Sequence, residues 1–490
     1  MKTSKNITDK DTNVVPKNER FLGQNLGVRR SLRELPEFSK ENSQDKNSSK
    51  ISGRAFRGSV RCATSIPSLR SGTTNVATTI PNAEKKSRNK ANYTKLNQYL
   101  NEKDFDENYA LLSHYIQLQG TAEAENYKSI LLQNGIDVSS LPTQKDFNKQ
   151  NDIPFPCKDK TKFTFIDLFA GIGGFRLAMQ DIGGKCVFSS EWDDAAKQTY
   201  FENYGEVPFG DITKPETKAL IPKEFDVLCA GFPCQAFSIA GYRKGFDDVR
   251  GTLFFDVAEI LEKYKPKAFF LENVKNLKTH DEGRTFAKII DVLESRLGYK
   301  VFYKVMNPCE YANIPQNRER IFIVGFNPEK LVLPDNYEFP FPEKQKLTKT
   351  IHDVINPEID DEKLFYKPGH IYYDRMKDVI KNPDTVYQWR RVYIRENKNN
   401  VCPTLTANMG EGGHNVPLVY TLKGIRKFTP EECLGFQGFP VNKKNPYRFP
   451  QTIAQSKKYK QAGNSVTEPL IQLVAKNVLK TVEDFSEEVK

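Results

Sequence analysis

A buried strand that runs into a glycine turn is the feature that most constrains the fold of this chain. The apolar segment 163–170 is followed by Gly171-Ile172-Gly173-Gly174 and then by apolar residues at helical spacing. Strand, glycine turn and helix in this order let a backbone approach a nucleotide-like ligand closely, as in doubly wound α/β folds. The turn lacks the full G-x-G-x-x-G spacing, and no phosphate-binding lysine with serine or threonine follows it. The sequence therefore favours a nucleoside ligand over a dinucleotide or a nucleoside triphosphate.

Acidic residues follow the next two predicted strand ends. The apolar run 186–190 ends at Glu191 and Trp192, where a carboxylate is suited to accept hydrogen bonds from ribose hydroxyls. The ring of Trp192 is suited to pack against an adenine, and Asp211, after a further turn, to bind the adenine amine. Each carboxylate taken alone is equally compatible with an ordinary surface position.

A cysteine directly after a proline follows another apolar strand. Cys234 lies on the loop 231–238, which comes after the strand 225–230. Most free cysteines are buried and structural, but a thiol on a loop at the carboxyl end of a strand is placed for nucleophilic attack. The position of Cys234 therefore indicates covalent chemistry.

Together these segments resemble the bacterial DNA (cytosine-5) methyltransferases of restriction-modification systems. Six sequence blocks occur in the family's order between about Phe163 and about Leu479. The blocks are residues 167–174, 231–238, 272–274, 316–320, 426–440 and 461–466. The resemblance implies an α/β fold with a doubly wound, Rossmann-like S-adenosylmethionine-dependent methyltransferase domain. It also implies a small, mostly irregular or β target recognition domain, to which this chain adds an N-terminal helical extension.

The resemblance implies four catalytic residues. Carbon 5 of cytosine is a poor nucleophile, so a thiolate, here Cys234, first adds to carbon 6 of a base flipped out of the duplex. Glu272 matches the family's residue that hydrogen-bonds or protonates ring nitrogen 3. Arg320 belongs to the same constellation and Arg318 lies close to it. The base that removes the carbon 5 proton is not identified, and ordered water is one candidate.

The implied methyl donor is S-adenosylmethionine, which leaves as S-adenosylhomocysteine. The residues that match its pocket are Phe169, Gly171, Ile172 and Gly174 on the methionine and ribose side, Glu191, Trp192, Asp211, Ile212, Pro233 and Leu253 around ribose and adenine, and Asn464 and Ser465 near the carboxyl end.

Two further stretches are predicted to contact DNA. The stretch after the nucleophile mixes small and basic residues, which suits a mobile loop closing over DNA, although a plain linker would have a similar composition. Its candidates are Gln235, Ser238, Arg243, Lys244 and Arg250. In the predicted recognition domain the candidates are Arg390, Arg391, Arg395, Thr404 and Thr406. Arginines suit guanine edges, although phosphate contacts are their commoner role, and these stretches look like those of enzymes reading GGNCC-type sites.

Composition divides the chain further. Residues 1–90 hold 19 Lys and Arg against 8 Asp and Glu, with three aromatic residues, which predicts a disordered tail that serves as a DNA-tethering arm or a spacer. The predicted parts are a disordered basic tail (1–91), a helical module (92–150), the catalytic and cofactor-binding domain (163–326), the target recognition domain (327–425) and a return segment that completes the catalytic domain (426–485). In the module, Gly120 and Gly135 lie where two helices are predicted to end. The module is predicted to pack on the catalytic domain or to help grip DNA.

Other features exclude several classes of protein. No apolar run approaches 18 residues, the first ten residues lack the apolar centre of a secretory signal, and eight cysteines and five histidines are scattered. We therefore expect a monomer in the reducing cytoplasm with neither membrane nor metal. The expected partners are double-stranded DNA and a functionally linked restriction endonuclease.

Three alternatives remain open at this point. An RNA cytosine-5 methyltransferase of the tRNA-modifying branch would share fold and chemistry but have a shorter variable region. A noncatalytic DNA-binding regulator is disfavoured by the intact catalytic residues. A nucleotide-dependent oxidoreductase would explain the glycine turn but not the Pro-Cys loop.

Overall fold

A six-stranded mixed sheet forms the centre of the molecule. The computed structural model describes residues 107–139, 141–158, 160–233, 253–390, 393–397, 399–410 and 415–486. The strands of the sheet are β1 (Phe163–Leu168), β2 (Gly184–Ser190), β3 (Val227–Ala230), β4 (Ala268–Val274), β5 (Lys300–Met306) and β6 (Arg320–Phe326). Their order is β2-β1-β3-β4-β6-β5, and β6 runs antiparallel to both of its neighbours. Beyond β2, Phe209 adds an isolated parallel bridge to Ser190.

Helices cover both faces of this sheet. The helices are α1 (Glu107–Gln117), α2 (Ala122–Gln133), α3 (Gln144–Gln150), α4 (Gly174–Asp181), α5 (Asp194–Tyr204), α6 (Pro215–Ala219), α7 (Leu253–Tyr264), α8 (Arg284–Asp291), α9 (Pro308–Tyr311), α10 (Tyr373–Lys377), α11 (Pro430–Phe436), α12 (Gln455–Asn464) and α13 (Glu468–Phe485). Successive strand side chains point to opposite faces, so Ile166 and Leu168 of β1 pack with α7 and α8. Phe163 and Phe165 pack with α4 and α13 on the other face. This arrangement confirms the predicted doubly wound α/β fold.

The N-terminal helices are part of the first of these layers. Leu111 of α1 and Tyr127 of α2 are buried in the same core as the side chains of α7 and α8. Gly120 and Gly135, with φ of 87° and 75°, follow the ends of α1 and α2, which confirms the predicted helix ends. The first predicted helix of the module, near residues 96–100, lies outside the described residues.

A separate antiparallel sheet lies between β6 and α11 in the chain. Its strands are β7 (Tyr387–Trp389), β8 (Ile394–Glu396), β9 (Pro417–Thr421) and β10 (Gly424–Lys427), in the order β10-β9-β7-β8. Its small core contains Trp389 and Leu418, and the ring of Tyr372 lies 4.7 Å from that of Trp389. Strand β10 crosses the predicted boundary between residues 425 and 426, so the small sheet ends at Lys427.

The last helix returns to the large sheet. Leu470, Val474 and Val478 of α13 are buried in one core with Phe165 of β1 and Phe175 of α4. Along the chain, β1 precedes the small sheet and α13 follows it, yet the two pack in one core. The small sheet is therefore inserted between two parts of one α/β unit.

Candidate active site

The turn between β1 and α4 has a strained backbone. Phe169, Gly171 and Gly173 have φ of 54°, 56° and 83°. Positive φ is rare for phenylalanine, and residues held in such conformations cluster at ligand sites. A Cβ on Gly173 would lie 2.3 Å from the ring of Tyr204, whose hydroxyl donates to the carbonyl of Gly173 over 2.7 Å. The turn therefore requires glycine at 173, and Tyr204 holds its shape.

Glu191, at the end of β2, binds the backbone of this turn. Its Oε2 accepts from the N–H of Gly171 over 2.8 Å, and its Oε1 accepts from the N–H groups of Trp192 (2.9 Å) and Asp193 (2.8 Å). Burial raises the pKa of Glu191, although these three donors work in the opposite direction. An ionised carboxylate has about four acceptor positions, so one position on Oε2 is left for a ligand hydroxyl.

The predicted adenine-binding residues lie at neighbouring strand ends. Trp192 is 76% exposed, so the faces of its ring are largely accessible to a ligand. The N–H of Glu191 donates to the carbonyl of Phe209 over 2.9 Å. Trp192 comes directly after Glu191, and Asp211 comes two residues after Phe209, so both follow this hydrogen bond closely in the chain. Asp211 uses its Oδ1 to accept from the N–H and hydroxyl of Thr213, at 3.0 and 2.9 Å. Ile212 is buried beside it.

The junction between α12 and α13 approaches the start of α4. A Cβ on Gly174 would lie 2.5 Å from Cγ2 of Val466 and 3.3 Å from Oγ of Ser465. Only glycine permits this contact without a shift, and it brings Ser465 and the exposed Asn464 to the glycine turn.

Three further residues of the predicted pocket lie around the same turn or next to the undescribed loop. Ile172 is buried, and its carbonyl accepts from the hydroxyl of Tyr447. Pro233 is exposed and Leu253 is half-buried; they flank residues 234–252, which lie outside the described chain.

Asp167, the fifth residue of β1, is a buried acid that the sequence had not singled out. It is 1% exposed, and no side chain in the described part of the chain donates to either carboxylate oxygen. Burial raises its pKa to about 8, against the opposing effect of the Arg176 guanidinium. An acidic residue inside an apolar strand was the available signal. A positive charge bound near the turn would favour its ionised form.

Glu272 and Arg320 form the polar pair at the centre of the sheet. They lie on the adjacent strands β4 and β6, and Nε of Arg320 is 3.0 Å from Oε1 of Glu272. Both side chains are largely buried but retain some exposure. A Cβ on Gly231 would lie 3.8 Å from Oε2 of Glu272. The chain that leads to Cys234 therefore leaves β3 directly beside this carboxylate.

Asn273 holds the start of that chain. Its Nδ2 donates to the carbonyl of Phe232 over 2.9 Å, and its Oδ1 accepts from the N–H of Val274 over 2.7 Å. The side chain is 2% exposed. The block 272–274 had been identified for Glu272 alone, and Asn273 adds a positioning contact to it.

Arg318 joins three segments of the molecule. Its guanidinium is buried and donates to the carbonyls of Leu405 (3.0 Å), Gly463 (3.1 Å) and Ser465 (2.7 Å). Burial, together with the charge of Arg320, lowers its pKa to about 9, which still leaves it protonated at neutral pH. Its two terminal nitrogens thus bind backbone carbonyls, whereas Arg320 contacts Glu272.

The predicted recognition arginines lie on the small sheet. Nη1 of Arg390 donates to Oε1 of Gln388 (3.2 Å) and to Oδ1 of Asn415 (2.7 Å). Arg395 pairs with Gln388 in the register of β7 and β8 and is exposed. The two arginines are therefore brought to one part of the sheet, next to Tyr393, which is 56% exposed.

Thr404 and Thr406 lie at the junction with the large sheet. The hydroxyl of Thr404 donates to the carbonyl of Asn317 over 2.7 Å, and that of Thr406 donates to Oδ1 of Asn408 over 2.8 Å. A Cβ on Gly463 would lie 2.4 Å from the backbone of Thr406. Both threonines are partly exposed, but their hydroxyls already have partners within the protein.

Seven predicted site residues lie outside the described residues. They are Cys234, Gln235, Ser238, Arg243, Lys244, Arg250 and Arg391. Among the residues that are described, no group of three or more His, Cys, Asp or Glu is arranged to hold a metal ion. Within the same residues, no helix has the length and apolar character needed to cross a membrane.

Comparison with known proteins identifies the family. The sequence profile of the C-5 cytosine-specific DNA methylases matches residues 163–480. Type II methyltransferase M.Bsp6I of Bacillus sp. (strain RFL6) is 47% identical over 320 residues, which cover 64% of this chain and 98% of that protein. Type II methyltransferase M.HpaII of Haemophilus parainfluenzae is 45% identical over 341 residues, which cover 65% of this chain and 90% of that protein.

A solved structure supports the fold. The crystal structure of S. pombe Dnmt2 methyltransferase matches 66% of this chain and 100% of its own, with a TM-score of 0.51 at 17% identity, a level that shows the fold alone. The extent of the profile match and the identity to the two Type II enzymes show more. The chain belongs to the C-5 cytosine-specific DNA methylase family and is a DNA (cytosine-5)-methyltransferase of the bacterial restriction-modification type.

Proposed function

We propose that this enzyme methylates carbon 5 of a cytosine flipped out of double-stranded DNA, through a covalent adduct with Cys234. The observation that carries the proposal is the position of residues 231–233, which leave β3 beside the Glu272 and Arg320 pair. A nucleophile that follows within this loop starts next to the groups that stabilise the attacked ring. Base flipping is required because ring atoms inside a duplex are out of reach.

The residues around the glycine turn fit S-adenosylmethionine. Trp192 offers an exposed ring for the adenine, and Glu191 has an acceptor position for a ribose hydroxyl. The buried carboxylate of Asp167 accepts from no side chain in the described residues, and it favours a ligand with positive charge nearby. When bound, S-adenosylmethionine supplies an electrophilic methyl group on a sulfonium.

Cys234 is the nucleophile in this proposal. The thiols of Cys186, Cys229, Cys402 and Cys433 are buried, and burial raises their pKa, so none of these is suited to form a thiolate. The Cys234 thiolate adds to carbon 6, which makes carbon 5 nucleophilic. With S-adenosylmethionine bound, carbon 5 would take the methyl group as the methyl–sulfur bond breaks and S-adenosylhomocysteine leaves. A base then takes the proton from carbon 5, the double bond between carbons 5 and 6 reforms, and the thiolate leaves.

Glu272 and Arg320 stabilise the ring during this addition. Negative charge moves toward ring nitrogen 3 when the thiolate adds, and in this proposal the Glu272 carboxyl group hydrogen-bonds to that nitrogen or protonates it. Arg320 holds Oε1 of Glu272, while Oε2 lies on the side of Gly231. Arg318 has a positioning role in this proposal, because its guanidinium holds the segments around Leu405 and Ser465 against β6.

The small sheet reads the DNA sequence in this proposal. Arg390 and Arg395 supply donors for guanine edges, and Arg391 and the loop 235–251 add contacts to the backbone. Methylation of one short recognition sequence wherever it occurs in the genome would protect it from a cognate endonuclease. The similarity to two Type II methyltransferases supports this biological role.

The test is bisulfite sequencing of DNA from a methylation-free bacterial host that expresses the full chain. We expect protected cytosines at one short recurring motif. Cys234→Ala should abolish protection yet still bind S-adenosylmethionine, and Cys309→Ala, at a half-buried thiol on α9, should resemble the wild type. DNA containing 5-fluorocytosine should trap a denaturation-stable adduct with the wild type but not with Cys234→Ala, because the fluorine blocks loss of a proton from carbon 5. Methylation by Cys234→Ala at the wild-type level would overturn the mechanism, and methylation of RNA alone would overturn the substrate.

A further inference from the structure

The helices α1 and α2 precede the part of the chain that matches the family. The match begins at residue 163, whereas α1 and α2 occupy residues within 107–133. Their buried side chains nevertheless share a core with Phe188 of β2 and with Phe209. These two residues precede Glu191 and Asp211, which the proposed function places around the cofactor.

Side chains of this extension complete the outer edge of β2. A strand edge presents backbone groups that need partners when they are buried. The Tyr127 hydroxyl donates to the carbonyl of Val187 over 3.1 Å, and Nε2 of His114 lies 3.3 Å from the N–H of Ser189. Two residues before Glu191, the carbonyl of Ser189 accepts from the N–H of Phe209 over 2.9 Å. The extension therefore takes the place of part of a neighbouring strand.

The hydrogen bonds of His114 define its protonation. Its Nδ1 lies 2.8 Å from the carbonyl of Ala110 and must carry a proton, so Nε2 is the acceptor for the N–H of Ser189. Burial lowers the pKa of His114, and the nearby Glu206 and Arg176 act in opposite directions on it. The neutral imidazole is the form that satisfies both backbone groups.

Helix α1 also holds the segment that leads to Asp211. Residues 205–209 run between α1 and β2 and continue into Asp211 and Ile212. Nε2 of Gln117 donates to the carbonyl of Gly205 over 3.2 Å, and the N–H of Val207 donates to Oγ of Ser113 over 2.9 Å. The His114 ring stacks on that of Phe209 with 4.1 Å between the centroids. Three alternate residues of the segment are thus fixed by one helix face.

A buried ion pair connects the same region to the glycine turn. Oε1 of Glu206 accepts from Nη1 of Arg176 (3.0 Å) and from the hydroxyl of Ser189 (2.8 Å), and lies 3.3 Å from Nε2 of His114. Burial opposes the charge of Glu206, but the Arg176 guanidinium and the Ser189 hydroxyl hold its pKa below the usual range. Because Arg176 belongs to α4, the extension contacts a network that reaches both sides of the cofactor site.

We propose that α1 and α2 form a positioning element that preorganises the S-adenosylmethionine site. They hold β2 and residues 205–209, the two segments that lead to Trp192 and Asp211. This inference rests on the proposed function, since it takes these residues to be the cofactor site. It assigns the extension to cofactor affinity and not to DNA binding.

The test uses two variants of the full chain that each remove one hydroxyl. Ser113→Ala deprives the N–H of Val207 of its acceptor, and Tyr127→Phe deprives the carbonyls of Val187 and Leu220 of their donor. The matched control is Lys128→Ala, at an exposed side chain of α2. Calorimetric titration with S-adenosylmethionine should show a dissociation constant raised about fivefold or more in both variants, the change expected when one buried backbone group loses its partner. The KM for DNA should stay within about twofold of the wild type, and Lys128→Ala should bind like the wild type.

The outcomes separate this inference from the proposed function. Titration is carried out well below the melting temperature of each variant, where circular dichroism shows a folded chain. Variants that melt earlier but bind S-adenosylmethionine as tightly as the wild type would overturn the inference and leave the proposed function standing. A raised KM for DNA with unchanged cofactor affinity would overturn it in favour of a DNA-gripping role. A wild type that does not bind S-adenosylmethionine would overturn the proposed function itself.

Discussion

The large sheet and the small sheet use their arginines in different ways. In the α/β unit around the large sheet, Arg176 and Arg318 are buried, and their guanidinium groups bind Glu206 and three backbone carbonyls. In the small sheet, Arg395 is exposed, and Arg390 is only half-buried and held by two side-chain amide oxygens. The guanidinium donors of Arg176 and Arg318 face the protein interior, whereas those of Arg390 and Arg395 are accessible to a binding partner.

This difference separates two kinds of functional residue. A buried arginine that donates to buried acceptors contributes to stability and geometry, because removing it leaves those acceptors without partners. An exposed arginine costs little to remove from the folded protein but contributes to binding. Substitutions in the large sheet should therefore change turnover or stability, and those in the small sheet should change DNA affinity.

The largest effect is expected for Glu272→Gln, which keeps the shape of the side chain but not its acid. Loss of a general acid typically lowers kcat about 10²- to 10⁴-fold, and S-adenosylmethionine affinity should be unchanged. The measurement is kcat by transfer of a labelled methyl group at saturating DNA. Glu319→Gln is the matched control, because Glu319 is an exposed residue next to Arg320 and pairs with Lys275. A kcat for Glu272→Gln within threefold of the wild type would contradict the assigned role.

A smaller effect, on stability, is expected for Arg318→Ala. Three buried carbonyls lose a charged donor, so the free energy of unfolding should fall by at least about 3 kcal/mol. Urea denaturation followed by circular dichroism measures this change. Arg395→Ala, the matched variant in the small sheet, should change the free energy of unfolding by less than about 0.5 kcal/mol. Equal losses of unfolding free energy in Arg318→Ala and Arg395→Ala would contradict the distinction between the two regions.

The smallest effect is expected for Arg390→Ala and should appear only with DNA. Loss of a two-donor contact to a guanine costs about 1–3 kcal/mol of discrimination at one base pair, while kcat at saturation stays near the wild type. Competition between the preferred site and single-base variants of it measures this discrimination. A uniform loss of affinity for every sequence would instead assign Arg390 to phosphate contacts.

The sequence predicted the strands and turns of the large sheet well, for local reasons. Apolar runs that end in glycine or in an acid identify buried strands and their carboxyl ends, so the position of Glu191 directly after β2 followed from a pattern of a few residues, whereas Glu272 was identified by the family resemblance and lies inside β4. Gly120 and Gly135 identified helix ends in the same way.

Contacts between distant segments were beyond this reasoning. Nothing near Arg318 in the sequence indicates carbonyls that lie 87 to 147 residues further along the chain. Likewise, the spacing of Glu191 predicted a ligand contact, whereas its carboxylate binds three backbone N–H groups first. Such partners depend on tertiary packing, which residue periodicity does not record.

The contacts of Arg318 also bear on how enzymes of this architecture can change their target. Arg318 binds Leu405, Gly463 and Ser465 through main-chain oxygens only, and those oxygens are present whatever side chain the position carries. The anchor between the two sheets is therefore indifferent to the identity of residues in the inserted segment. If the inserted segment reads DNA as proposed, we expect a different recognition segment to be accepted in its place, provided that the backbone still passes through the same point at residue 405.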